Sequence, residues 1–217
     1  MHRMTRRALT LGLVAAPFAA AAQPRAAAPR AALAPADREL VDRAVGYLEG
    51  LDEARGRFTQ VDPRGARSSG VVYLKRPGKA RFEYDPPAGL LVVSDGGNVS
   101  IANSRLKTFE SYPLAATPLS LFLARQIRLD KGVAVTRVSR FSDGFTLTAR
   151  DQRRQAEGQI TLAFSERPLR LTGWTVTDAQ GQTTQVRLEG LARSPGLSPT
   201  LFVLKDPRPR NPGRGKM

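Results

Sequence analysis

Apolar residues recur at spacings of three and four near the start of the chain. Leu40, Val41, Ala44, Val45, Leu48 and Leu51 form one stripe, which predicts an amphipathic helix. Asp37 and Glu39 suit its first turn, where the helix dipole favours anions. The period then changes to two. Apolar and polar residues largely alternate over 58–61, 70–76, 81–85, 145–150, 159–164, 169–177 and 183–191, the pattern of half-buried strands. Turn signals separate these runs: Pro77-Gly78, Pro86-Pro87, Asp95-Gly96-Gly97, Asp143-Gly144 and Gln180-Gly181. The whole pattern gives about eleven strands, mostly in hairpins, hence an antiparallel sheet. One greasy segment, 117–124, interrupts it. Thr117 as N-cap and Pro118 at the first helical position predict a second, short helix there.

A long antiparallel sheet must cover its apolar face. Two helices are too few to bury a flat one. The pattern therefore predicts a mainly β (α+β) fold: an incomplete, strongly curled barrel with an α-helical lid over a hydrophobic hollow. Parity assigns the faces. Val72, Leu74, Phe82, Tyr84, Phe145, Leu147, Ile160, Leu162, Leu171 and Leu188 point inward, with Phe164 and Val186 beside them. Leu121 and Phe122 face them from the second helix. The same alternation also describes a solid core. Arg76 breaks the rule. It has the parity of Val72 and Leu74, so either it finds acceptors on the apolar side or the strand ends at Lys75 and Arg76 snorkels out. Trp174 sits opposite Leu169 and Leu171 in parity, which leaves rim and core both open. Asp95 reads as a turn residue.

Charge and composition narrow the class. The chain carries +15. Residues 1–22 combine a basic start, an apolar stretch and Ala20-Ala21-Ala22 before Gln23, as in a cleaved signal peptide. Thr5-Arg6-Arg7 touches on a twin-arginine signal. Cleavage removes three arginines and no acid, leaving 31 bases against 19 acids, or +12. Export and dispersed basic residues argue against nucleic acid and leave anionic lipid headgroups as the general attraction. No cysteine exists for a disulfide, a thiolate or lipid attachment, and the single His lies in the signal. An exported, soluble protein without metal or cofactor is expected, and an enzyme is disfavoured because no His base or Cys nucleophile remains. Residues 23–35 read as an Ala/Pro-rich leader, 36–204 as the folded domain and 205–217 as a basic, Pro-rich tail.

The ordered string Phe58-Thr59-Gln60, Gly70, Leu74-Lys75-Arg76-Pro77-Gly78-Lys79, Phe82-Glu83-Tyr84, Pro86-Pro87 and Val92-Val93-Ser94-Asp95-Gly96 resembles the N-terminal half of the LolA family. These are periplasmic carriers of outer-membrane lipoproteins. Phe145-Thr146-Leu147 and Ile160-Thr161-Leu162 resemble later strands of that family. The resemblance implies a monomeric carrier whose cavity takes the acyl chains of lipoproteins. An inner-membrane ABC transporter would release the cargo, and an outer-membrane acceptor would receive it. It implies that Arg76 holds the lid closed. Ala80 departs from the family, which can carry an aromatic residue there. A carrier of another amphiphile on the same scaffold, and an adhesion module, are the other readings. The missing cysteine disfavours the lipid-anchored acceptor of the companion LolB type.

Overall fold

A computed structural model describes residues 33–127, 132–152 and 158–206. The expected signal peptide, residues 23–32 of the leader and the tail past Asp206 lie outside the described residues. Helix α1 spans Pro35–Glu49, with proline at its start, where a missing N–H leaves no bond unmade. It buries Leu40, Val41, Ala44 and Leu48, the predicted stripe.

Eleven strands follow: β1 Glu53–Val61, β2 Arg67–Lys75, β3 Lys79–Tyr84, β4 Leu90–Asp95, β5 Asn98–Asn103, β6 Thr108–Pro113, β7 Val133–Phe141, β8 Gly144–Asp151, β9 Gln159–Glu166, β10 Leu169–Thr177 and β11 Thr183–Arg193. They form one antiparallel sheet in the order β6-β5-β4-β3-β2-β1-β11-β10-β9-β8-β7, so the two halves join where β1 meets β11. The sheet does not close, because β6 and β7 are both edges. It does curl. Phe82 on β3 and Trp174 on β10 are four strands apart, about 19 Å in a flat sheet. Their rings lie 5.9 Å apart.

The two-residue period placed the inner face well. Val72, Leu74, Phe82, Phe145, Leu147, Ile160, Leu162, Leu171 and Leu188 are all buried in one cluster with α1. Strands β5, β6 and β7 carry weaker alternation: β6 is largely exposed on both faces, and β7 is bulged between Val135 and Arg137. Trp174 joins the core, 4% exposed. A bulge between Leu171 and Gly173 inserts one residue and brings Leu171 and Trp174 to the same face.

The second helix is shorter than 117–124. A 3-10 turn, Leu114–Ala116, precedes α2, Leu119–Leu123. Thr117 does not cap α2. Its hydroxyl donates 2.9 Å to the Leu114 carbonyl, closing the 3-10 turn instead, and Pro118 takes the cap position. After β11 the chain returns across the outer face of the sheet. A 3-10 turn, Pro199–Phe202, lies on β3 and β4, with Phe202 1% exposed. Val93, paired with Arg81 and so of outer parity, is buried on that side too.

Candidate functional site

The apolar face under the two helices has two parts. One is a slot between α1 and the β7–β9 half of the sheet. Val41, Val45 and Leu48 face Leu147, Ile160 and Leu162 there, and Leu121 and Phe122 of α2 close one end. The slot measures about 30 Å³. That is room for about two water molecules. The hollow expected from the pattern is therefore filled by side chains of both helices. A larger groove of about 750 Å³ lies mainly on the outer face, around Glu83, Leu91 and Ala102. Among the expected inward residues it touches Tyr84, at the sheet's margin.

The other part is a run of rings. Phe58 meets Phe82 and Tyr84 edge-on at 5.5 and 5.0 Å. Phe82 meets Trp174, and Trp174 meets Phe122 of α2 at 5.6 Å. The rings thus connect β1 through β10 to the lid. Farther along, Phe145 stacks on Phe164 at 5.3 Å, and Tyr47 of α1 meets Phe164 edge-on at 6.0 Å. Tyr84 is only half-buried. Its hydroxyl donates to Gln60 Oε1 at 2.7 Å. Burial pushes the phenol up to about 12, against the opposing pull of the Gln60 bond.

Phe58 and Trp174 belong to this site but were not among its sequence candidates. Each carried a signal. Gly70 pairs with Phe58, and a Cβ there would sit 2.8 Å from the ring and 2.0 Å from the Glu83 carbonyl oxygen. The glycine makes room for the ring. Gly173, inside a strand, marks the bulge that turns Trp174 inward.

Arg76 reaches the C-terminal end of α2. Strand β2 ends at Lys75, and Arg76 opens the turn to β3. Its side chain does not simply snorkel outward. Nη2 donates to the Ala124 carbonyl at 2.5 Å, at the C-terminus of α2. The next glycine helps: Gly78 N–H donates to the Leu123 carbonyl at 2.8 Å. These two donors satisfy carbonyls that a helix end leaves open. Arg76 N–H donates to Asp52 O at 2.7 Å, just beyond α1, and Glu49 accepts from Ile127 N–H beyond α2. Burial pulls the Arg76 guanidinium below its usual value, while Glu49 and Asp52 act in the opposite direction. It stays charged, since arginine does not deprotonate in proteins. Its buried Nε has no partner among the described residues. The guanidinium is therefore incompletely satisfied.

The neighbouring turn supports it. Gly78 has φ +75°, and a Cβ there would lie 2.8 Å from Gly96 Cα. Buried Ser94 donates to Gly78 O at 2.6 Å. Asp95 Oδ1 accepts from Gly97 and Asn98 N–H, and these bonds hold its carboxyl below the usual range. So the Arg76-Pro77-Gly78 and Ser94-Asp95-Gly96 segments, separate in sequence, are one structural unit. Helix α1 is anchored differently, through ion pairs Asp37–Arg140 at 2.7 Å and Arg43–Glu166 at 2.9 Å. Among the described residues no group of His, Cys, Asp and Glu could hold a metal, and no helix is long and apolar enough to cross a membrane.

An open antiparallel half-barrel, curled around an apolar face and covered by two helices, defines a lidded β-scaffold. Residues 49–205 match the family model described as outer membrane lipoprotein carrier protein LolA. The chain belongs to the LolA family. It is 28% identical over 198 residues to an outer-membrane lipoprotein carrier protein of Cupriavidus taiwanensis, covering 84% of this chain and 92% of the relative. A protein of the same description from Dechloromonas aromatica is 28% identical over 178 residues, covering 77% and 84%. A LolA superfamily protein from Nitrosomonas europaea, solved by crystallography, aligns with TM-score 0.43 and 13% identity over 75% of this chain and 97% of its own.

Proposed function

We propose that this protein carries outer-membrane lipoproteins across the periplasm, holding their acyl chains between the inner face of the sheet and the two helices. A continuous apolar face covered by a five-residue helix that two hydrogen-bond donors, Arg76 and Gly78, tether at one end carries this reading. Family membership supports it. The slot at its present size admits no acyl chain, so loading requires α2 to move away from Phe122's contacts. Burying a methylene stabilises by about 0.8 kcal/mol. Breaking a charged hydrogen bond costs about 1.5–3 kcal/mol. A chain of a dozen or more methylenes therefore drives opening, and the latch returns part of that energy on release. Val72, Leu74, Phe82, Tyr84, Leu121, Phe122, Phe145, Leu147, Ile160, Leu162, Leu171 and Leu188 would line the opened space, and Arg76 would set the balance between uptake and release.

The carrier acts as a monomer in this reading. It receives cargo from an inner-membrane ABC transporter and gives it to an outer-membrane acceptor, after export directed by residues 1–22. The test is release from spheroplasts. Adding the purified protein should bring acylated lipoproteins into the soluble fraction as a stoichiometric complex. Lipoproteins that stay membrane-bound at saturating carrier would refute the reading.

A further inference from the structure

The outer face of the central and C-terminal strands has had no role so far. Strand register runs one row across it through Thr148, Thr161 and Thr175. That row ends on Arg137 at one side and on Arg67 at the other. The next outer row centres on Arg187, flanked by Gly173 and Thr59. All three arginines are exposed. None has a carboxylate partner among the described residues, whereas Arg57, Lys75 and Arg81 on β1–β3 are paired with Asp85, Glu53 and Glu83. Two clefts of about 520 and 380 Å³ flank Arg187. The smaller runs to Phe141, 51% exposed at the β7 edge.

We infer that this arginine-and-threonine face docks on an anionic phospholipid surface. Charge complementarity argues for it: the chain without residues 1–22 carries 31 bases against 19 acids. Guanidinium forks match phosphate oxygens, and Thr175 adds a hydroxyl donor beside the Thr148–Thr161 hydroxyl pair, whose members bond each other at 3.0 Å. A protein partner would need a desolvated aromatic or aliphatic cluster at the centre of its interface. Here the centre is hydroxyls and Arg187, and the exposed ring, Phe141, sits at the rim. That arrangement suits a diffuse plane of charge. The docked face is opposite the one bearing α1 and α2, so docking leaves the lid free. This goes beyond the carrier reading and does not require it, because vesicle binding is read without cargo.

The test is cosedimentation of residues 23–217 with vesicles of phosphatidylethanolamine and phosphatidylglycerol in a three-to-one ratio, against phosphatidylcholine alone. Binding should require the anionic lipid and weaken with salt. A basic residue near such a surface is worth about 1 kcal/mol, or about fivefold in affinity. Arg67→Gln, Arg137→Gln and Arg187→Gln together should therefore weaken binding by at least about tenfold, with the circular dichroism spectrum unchanged. Removing the same charge from the tail, through Arg208→Gln, Arg210→Gln and Arg214→Gln, should leave it within about threefold. Arg187→Glu alone should lose more than about fivefold, which keeps the test alive if the triple variant folds poorly. The inference is overturned if the parent ignores anionic vesicles, if the tail variant alone loses binding, or if the parent binds immobilised polyglutamate instead, which would indicate an acidic protein.

Discussion

Replacing Arg76 by leucine tests the latch directly. The change removes the donor to the Ala124 carbonyl, a charged hydrogen bond worth about 1.5–3 kcal/mol. It also removes a buried Nε that has no partner, which returns about 1 kcal/mol. The net loss from the latched state is about 0.5–2 kcal/mol, a factor of about 2–30 in the closed-to-open ratio. If the protein carries acyl chains as proposed, uptake requires opening, and the variant should bind more tightly by up to that factor. Most of the gain should appear as slower release. A fluorescent fatty-acyl probe gives affinity and dissociation rate, and transfer to an acceptor gives delivery. The expected variant loads well and delivers slowly. Arg76→Lys, which keeps a charge but loses the planar fork, should fall between. An affinity and a dissociation rate within about twofold of the parent, with normal delivery, would remove Arg76 from the mechanism.

The protein's one tryptophan, Trp174, touches Phe122 of α2 and therefore reports lid position. Its emission should shift to the red when Arg76→Leu opens the lid, and an unmoved spectrum would mean the helix stays in place. Gly70→Ala forces a Cβ to within 2.0 Å of the Glu83 carbonyl oxygen. Overpacking of this kind costs about 1–3 kcal/mol, so the urea midpoint should fall, and shortening Phe58 should not rescue it because the closer contact is with backbone. Phe58→Ala removes a ring packed on Phe82 and Tyr84 and should cost about 3–5 kcal/mol by urea unfolding. The Tyr84 phenol ionises near pH 10 when unfolded and about 12 when folded. The unfolded chain loses that proton first, so this stability is complete below pH 10 and declines as pH rises towards 12. Tyr84→Phe should flatten that decline in alkaline unfolding curves.

Much of the site was legible in sequence because a strand's period is two and one face must be dry. Val72, Leu74, Phe145, Leu147, Ile160 and Leu162 followed that rule without exception. It failed where the backbone departs from a regular ladder. One inserted residue near Gly173 reversed the parity of Trp174. Thr117 resembled a helix cap, but its hydroxyl found a nearer acceptor in the preceding 3-10 turn. The string from Phe58 to Gly96 identified a family without showing why its pieces go together. In space Phe58 needs Gly70, and Gly78 needs Ser94 and Gly96.

The sequence alone determined the strand count, the amphipathic first helix, the inward face and the unusual position of Arg76, because these depend on local periodicity and on the cost of burying charge. Tertiary structure decided where Arg76 donates and how much space the helices leave. A guanidinium beside an apolar face must find acceptors, but sequence does not say which. Here the acceptor is the Ala124 carbonyl at the end of α2, forty-eight residues further along the chain and brought to Arg76 by the fold. The expected hollow likewise depended on how far Leu48, Phe122 and their neighbours reach inward, a matter of packing that no pattern of alternation contains.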